Sequence, residues 1–349
     1  MDAPFALRLK SARIQAGATQ ADLAAAIGVS KQAISQYENG RKSPESSTLL
    51  AIANYFGKPV GYFFQTRTIQ LDRVDFRKRA RLQGRALAAI KASILDRLEP
   101  YLELEQILNI DDPFVNPIAP LPVSKLEQAE GAAIALLQAW NLGTNPIPNL
   151  IEMLEDRGVK VVEVTANAQF DGMSTLLDNA VPVIVVNQAM DTLRKRFTVL
   201  HELGHLLLAV PDPSDHAFCE KVCNRFAAAM LLPADVFRAE VGMRRSQISL
   251  AELIPIKEYY GISLAAIVYR GLDLGVFTQS LGRRFWQMRN QNPALKVEEG
   301  YGYYPGEEKS YRFEQLLSKA LALELISYSK AAQLANTNVQ ALRQQHQLV

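Results

Sequence analysis

Two histidines four residues apart, with a glutamate directly after the first, constrain this chain more than any other feature. In His201-Glu202-Leu203-Gly204-His205 the segment must be helical for the pair to act together. An α-helix turns once in about 3.6 residues, so residues i and i+4 stack on one face, where two imidazoles can share a metal ion. Glu202 then lies beside that face, placed to take a proton from a water activated by the metal rather than to bind the metal itself. The flanks agree: the pattern from Thr192 to Val210 is helical, with Asp191 or Thr192 as its cap. The chain has four histidines in all, so composition alone rarely yields this spacing.

A zinc site of this kind needs a third protein ligand. A continuation of the motif to a third histidine along the same stretch fails, because Leu208 and Pro211 stand where that pattern needs glycine and histidine. The remaining histidines are His216 and His346. The alternative is a carboxylate on the next predicted helix, Ala217 to Leu231, where Glu220 is followed one turn later by Asn224. That spacing supplies a ligand plus an amide able to orient an imidazole. The expected set is His201, His205 and Glu220 with zinc, and His216 is the competing ligand. Cys219 and Cys223, one turn apart, suit a shared helix face and read as small, reduced packing residues.

The rest of the chain divides by composition. Its net charge of +2 conceals an asymmetry: residues 1–90 hold 14 Lys/Arg against 6 Asp/Glu, and the remaining 259 residues hold 24 against 30. A basic amino-terminal portion points to a polyanion, with nucleic acid first in line. Residues 5–61 read as short helices separated at Gly17, Gly28, Gly40 and Gly57. Within them Thr19 to Gly28 and Val29 to Gly40 form two short helices in contact through Leu23, Ala24, Ile27, Val29 and Ile34, a helix-turn-helix.

The predicted divisions are a DNA-binding domain (1–66), a basic helical connector and Pro-rich linker (67–122), a peptidase domain (123–280) and a helical carboxy-terminal region (281–349). In the third, helices over Leu126–Trp140 and Ile151–Arg157 precede a strand at Val159–Val164. A β-hairpin follows, Gly172–Leu177 and Val181–Val186, and then helices at Ala217–Leu231 and Leu250–Tyr269. That order predicts an α+β fold: an all-α head, then a zincin-like small sheet with helices. No repeat stands out. Residues 281–310 receive no role, and Ile326 to Leu342 hint at a second helix-turn-helix or a packing or dimerisation element. No secretory leader or apolar run long enough for a membrane span is visible, so a cytoplasmic setting without membrane contact is expected.

Two resemblances gather these readings. Ser-x-x-x-Ile-Ser-x-Tyr-Glu-Asn-Gly from Ser30 to Gly40 resembles the XRE family, of the Cro and lambda-repressor type, over residues 5 to about 61. It implies binding of a double-stranded DNA operator as a homodimer. Lys31, Gln32 and Gln36 would lie near base edges, with Gln20, Arg13, Asn39 and Arg41 nearer phosphates. The second resemblance is to the ImmA/IrrE family of zinc metallopeptidases, over roughly Val183 to Leu274. It is carried by Val185-Val186-Asn187, by Arg196-Phe197-Thr198 before the histidine motif, and by Glu220-x3-Asn224-Arg225-Phe226-Ala227 leading to Leu231-Leu232-Pro233. It implies a gluzincin-like site with Glu202 as base, and repressor proteins as substrates. The expected function is a DNA-binding regulator whose zinc endopeptidase cuts a repressor, a partner or itself, in stress-response, mobile-element or toxin–antitoxin control. The alternative is a non-catalytic repressor or antitoxin whose peptidase-like domain senses a ligand or holds a toxin.

Overall fold

The computed structural model describes residues 3–65, 84–110, 113–119, 121–177, 180–298 and 300–345. The basic run Arg77-Lys78-Arg79-Ala80-Arg81, the turn residues Asp178 and Asn179, Pro120 and His346 lie outside them.

The chain opens with four helices, α1 (Ala3–Gln15), α2 (Gln20–Ile27), α3 (Lys31–Glu38) and α4 (Ser46–Phe56), and a 3-10 turn at Val60–Phe64. Thr19 and Ser30 cap α2 and α3 with their hydroxyls, and Gly28 adopts φ 72° between them, a left-handed turn that glycine enters without steric cost. Phe5, Leu9, Leu23, Ile34, Ile52 and Phe63 bury together beneath these helices.

Helix α5 (Arg85–Ile107) lies within the stretch read as a basic helical connector, and it packs into the fold rather than only linking two parts. Its Ile90, Ile94, Leu95 and Leu98 pack on one face of a three-stranded sheet, with Val162, Val164, Met173, Val183 and Val185. The sheet has the order β1-β3-β2, with β1 (Lys160–Val164) parallel and β2 (Gly172–Leu177) antiparallel to the central β3 (Val181–Asn187). Successive side chains of a strand point to opposite faces, and in β3 the other set, Ile184 and Val186, enters the main core. Burial on both faces explains why β3 is an unbroken apolar run.

Helices α6 (Leu126–Ala139), α7 (Leu150–Asp156), α8 (Thr192–Leu207), α9 (His216–Leu231) and α10 (Ala234–Val241) surround that second face. The single helix expected over Leu250–Tyr269 is two, α11 (Leu250–Tyr260) and α12 (Leu264–Asp273). Gly261 at φ 63° ends the first, and the Ser263 hydroxyl caps the second, so the local chemistry of stop and start overrides a continuous apolar pattern. The remaining helices are α13 (Gln279–Gln291), α14 (Pro293–Val297), α15 (Arg312–Ala322), α16 (Tyr328–Leu334) and α17 (Val339–Gln345). The architecture is α+β, with a helical head and a small sheet set among helices. Among the described residues no helix is long and apolar enough to cross a membrane.

Candidate metal centre and nucleic-acid interface

Asp191 caps α8 through its carboxylate, and the helix runs through the histidine motif to Leu207. Its end is finished from outside, where Asn116 donates an amide hydrogen bond to the Leu207 carbonyl (2.8 Å). That carbonyl is one of the last-turn acceptors left without an intrahelical donor. Helix α9 crosses α8 closely because residue 204 is glycine. A Cβ there would stand 3.2 Å from the Cys223 sulfur and 3.3 Å from its Cα. Cys223 is buried at this crossing, in keeping with its reading as a small packing residue, while Cys219 is partly exposed one turn earlier.

The crossing brings His201, His205 and Glu220 together, with one donor atom from each within 4.8 Å of the others. The two imidazole Nε2 atoms are 3.2 Å apart, and they stand 3.3 and 3.2 Å from the two oxygens of Glu220. Zinc–nitrogen bonds of about 2.0–2.1 Å place neighbouring ligands of a tetrahedron about 3.3 Å apart, a spacing that the two Nε2 atoms match, and each of them faces a different oxygen of the Glu220 carboxylate. His201 Nδ1 lies 2.9 Å from Asn224 Oδ1, which fixes the ring and leaves Nε2 to face the other donors. The donor set therefore fits a zinc-type ion. His216 is exposed at the first turn of α9 and stands outside the cluster.

The electrostatics agree. The imidazoles of His201 and His205 hold the Glu220 carboxyl well below the usual carboxylate range. At His201 burial opposes charge, yet the carboxylates of Glu220 and Glu202 outweigh it and raise its pKa. Two imidazole nitrogens gathered on an anion form a donor set suited to a cation.

Glu202 sits beside this face, 7% exposed, and its Oε2 is buried without a hydrogen-bond partner among the described residues. A buried carboxylate oxygen left unmatched costs free energy and calls for a partner that the described residues do not supply. Gly172, at the start of β2, makes room for it. A Cβ at 172 would come 2.7 Å from Thr198 Cγ2 and 3.4 Å from Glu202 Cγ. The order β1-β3-β2 leaves β2 at the edge of the sheet, next to α8.

Two supports escaped the sequence reading. Arg196 is fully buried in α8 and donates to the carbonyls of Ile147 (2.9 Å) and Gly261 (3.0 Å) and to the carboxylate of Glu308. Glu308 also accepts from the amides of Leu150 (2.7 Å) and Ile151 (3.1 Å) at the start of α7. A segment that received no role from sequence thus clamps the metal-site helix. Nothing local in a Gly- and Tyr-rich loop signals a partner more than a hundred positions away. Asn187, ending β3, donates to the carbonyls of Asn167 and Phe170 (3.0 Å each) and holds the loop that precedes Gly172. Polar side chains farther along the chain that could serve as oxyanion donors, Tyr259, Tyr260, Tyr269 and Arg270, have other partners: Tyr260 bonds Glu240, Tyr269 packs on Trp286, Tyr259 packs on Tyr260, and Arg270 is buried with Glu130 and the Leu232 carbonyl.

In the head, Lys31 and Gln32 are exposed at the start of α3, with Gln36 half-buried one turn on and Asn39 and Arg41 exposed beyond the helix. Arg13 and Gln20 are drawn inward: both donate to Glu38, which is 8% exposed, and Arg13 also donates to the Ala18 carbonyl. That network braces α1, α2 and α3 against one another.

Comparison with known proteins assigns both ends of this description. Residues 9–63 match the helix-turn-helix family, and residues 154–271 match the IrrE N-terminal-like domain, a generally metal-dependent peptidase family. No curated protein matches the chain. The chain thus carries an XRE-type helix-turn-helix, DNA-binding module followed by an IrrE/ImmA-like peptidase-family domain.

Proposed function

We propose that this regulator is a zinc endopeptidase that cuts a repressor or other partner protein, with residues 1–66 reading an operator and residues 123–280 carrying the chemistry. The reading rests on one observation above others: two imidazole nitrogens and a carboxylate gathered at one helix crossing, beside a buried carboxylate oxygen without a hydrogen-bond partner among the described residues. His201 and His205 present Nε2, Glu220 supplies the anionic ligand, and Asn224 holds the His201 ring. When bound, zinc supplies Lewis acidity toward water and the scissile carbonyl. Glu202 takes up the proton of the attacking water at its free oxygen and delivers it to the departing amine, a role that needs no separate nucleophile. The outer edge of β2 holds the substrate backbone by strand addition, and Gly172 keeps that edge close to Glu202. Cleavage of a DNA-binding partner fits a site carried on a DNA-reading chain, as in stress-response or toxin–antitoxin control.

The test compares newly formed protein amino termini in cells expressing wild-type chain or Glu202→Gln, with zinc measured on both purified proteins. Equal zinc in both, with new termini only in the wild type, is expected. Identical sets of termini from the two, with zinc retained, would remove the catalytic reading and leave a sensing or partner-holding role.

A further inference from the structure

Helices α15, α16 and α17 repeat the geometry of α1, α2 and α3, position by position. Helix α1 closes with Gly17 N–H on the Ile14 carbonyl and Ala18 N–H on the Arg13 carbonyl, and α15 closes with Glu324 N–H on Leu321 and Leu325 N–H on Ala320. The same cap geometry therefore ends both first helices, Gly17 at φ 68° and Glu324 at φ 56°.

From the next helix onward the two units run at one constant offset. Thr19 caps α2 by accepting from Asp22 N–H (3.1 Å), and Ser327 caps α16 by accepting from Lys330 N–H (3.2 Å). Leu23 and Ala24 are buried, as are Ala331 and Ala332. Gly28 turns at φ 72° and Asn336 at φ 52°. Val29 N–H bonds the Ala24 carbonyl (3.0 Å), and Thr337 N–H bonds that of Ala332 (2.9 Å). Ser30 caps α3 on Ala33 N–H (3.1 Å), and Asn338 caps α17 on Ala341 N–H (2.8 Å). Ile34 and Leu342 are the buried anchors of the last helix. At that offset Gln32-Ala33-Ile34-Ser35-Gln36 faces Gln340-Ala341-Leu342-Arg343-Gln344.

We propose that residues 312–345 form a second helix-turn-helix that reads duplex DNA, with α17 as its reading helix and Gln340, Arg343 and Gln344 as its contacts. These three side chains are exposed and polar, where a helix serving only to join two chains would present apolar ones. Glutamine is suited to paired hydrogen bonds with adenine in the major groove, and arginine to guanine. The unit carries four Lys/Arg against two Asp/Glu, the sign that a phosphate backbone favours. The two units also adjoin: both pack on α5, and Gln65 donates to the Gln333 carbonyl (3.3 Å). A pair of reading units, expected from a homodimer, is then present in one chain. Neither family match extends past residue 271.

The proposal goes beyond the peptidase reading and is independent of it. It is tested by selecting binders from a library of randomised 40-base-pair duplexes (about four turns) with the full chain, with Gln340→Ala/Gln344→Ala, and with Gln32→Ala/Gln36→Ala. The wild type should enrich a motif with two separable elements. Each double variant should lose one element and bind the full motif about tenfold or more weakly. Gln32, Gln340 and Gln344 are exposed and Gln36 is half-buried, and circular dichroism and thermal midpoints matching the wild type verify that each double variant is folded. A motif with one element, lost only through Gln32 and Gln36, overturns the second reader and leaves the first intact. No enrichment by the wild type overturns both. An unchanged motif with altered self-association in Gln340→Ala/Gln344→Ala overturns it in favour of a protein contact.

Discussion

Replacing Glu308 by alanine removes the carboxylate that joins the metal-site helix to the start of α7. The guanidinium of Arg196, with no exposed surface, would keep its backbone carbonyl partners, Ile147 and Gly261 and at longer range Pro148 and Tyr260, and lose its anion. An uncompensated buried charge of this kind costs about 3–5 kcal/mol. The amides of Leu150 and Ile151 lose their acceptor as well, at about 1 kcal/mol or more together after water partly replaces it. The expected loss is roughly 4–6 kcal/mol, a large share of a typical stability of about 5–15 kcal/mol. Urea unfolding of wild type, Glu308→Ala, Arg196→Met and the double variant measures it. Because removing both charges avoids the orphaned one, the double variant should lose much less than the two single losses added together. A loss below about 1 kcal/mol for Glu308→Ala, or strictly additive losses, would refute the clamp, since surface ion pairs behave that way. Hydrogen exchange should report faster opening of the amides around Arg196 in Glu308→Ala than in a control variant at exposed Glu307.

Asn224→Ala should weaken zinc binding about 10–100-fold by competition with a chromogenic chelator, while leaving the ligands themselves in place; equal affinity would show that the ring needs no such support. Gly172→Val drives side-chain atoms into Thr198 and Glu202, so it should reduce proteolysis more than zinc content, and equal losses of both would mean general misfolding. Glu155 is 3% exposed, and burial pushes its carboxyl up from 4.5 to about 7. A folded-state value above the unfolded one contributes stability below about 4.5 that is lost as pH rises to about 7, on the order of 3 kcal/mol. Glu155→Gln should flatten that decline in unfolding free energy, and a parallel pH profile would sink the assignment. Asp96 receives Lys58 (3.0 Å) and Tyr62 (2.9 Å) from the head, so Asp96→Ala should make the head's amides exchange faster without touching zinc content; an unchanged rate would show that the docking lies elsewhere.

What the sequence could disclose was whatever is written locally. The histidine pair, the carboxylate one helix later and the β-hairpin each depend on spacing within one or two elements, and periodicity carries that. Helix α5 shows its apolar stripe plainly, but a stripe does not say which surface it covers, and its partner strands, from Val162 to Val185, lie far along the chain. Glu308 is out of reach for the same reason. The second helix-turn-helix shows only as a hint, for a different reason. Ala331 and Ala332 bury as little as any helix former, and asparagine replaces glycine at the turn, the other residue that enters the left-handed region at small cost. Similarity lay in caps and burial, which letters convey poorly.

The docking of the head on α5 alters what a break in the chain would do. Arg8 reaches Asp96 and Glu99, and Lys58 and Tyr62 reach Asp96, so the head is tied by charges as well as by its peptide link. A cut between residues 66 and 83 would exchange tethered neighbours for two molecules in equilibrium, whose separation then follows dilution and ionic strength. Severing and release become distinct events. A nicked protein would still migrate as one particle at low salt and part into two as salt rises.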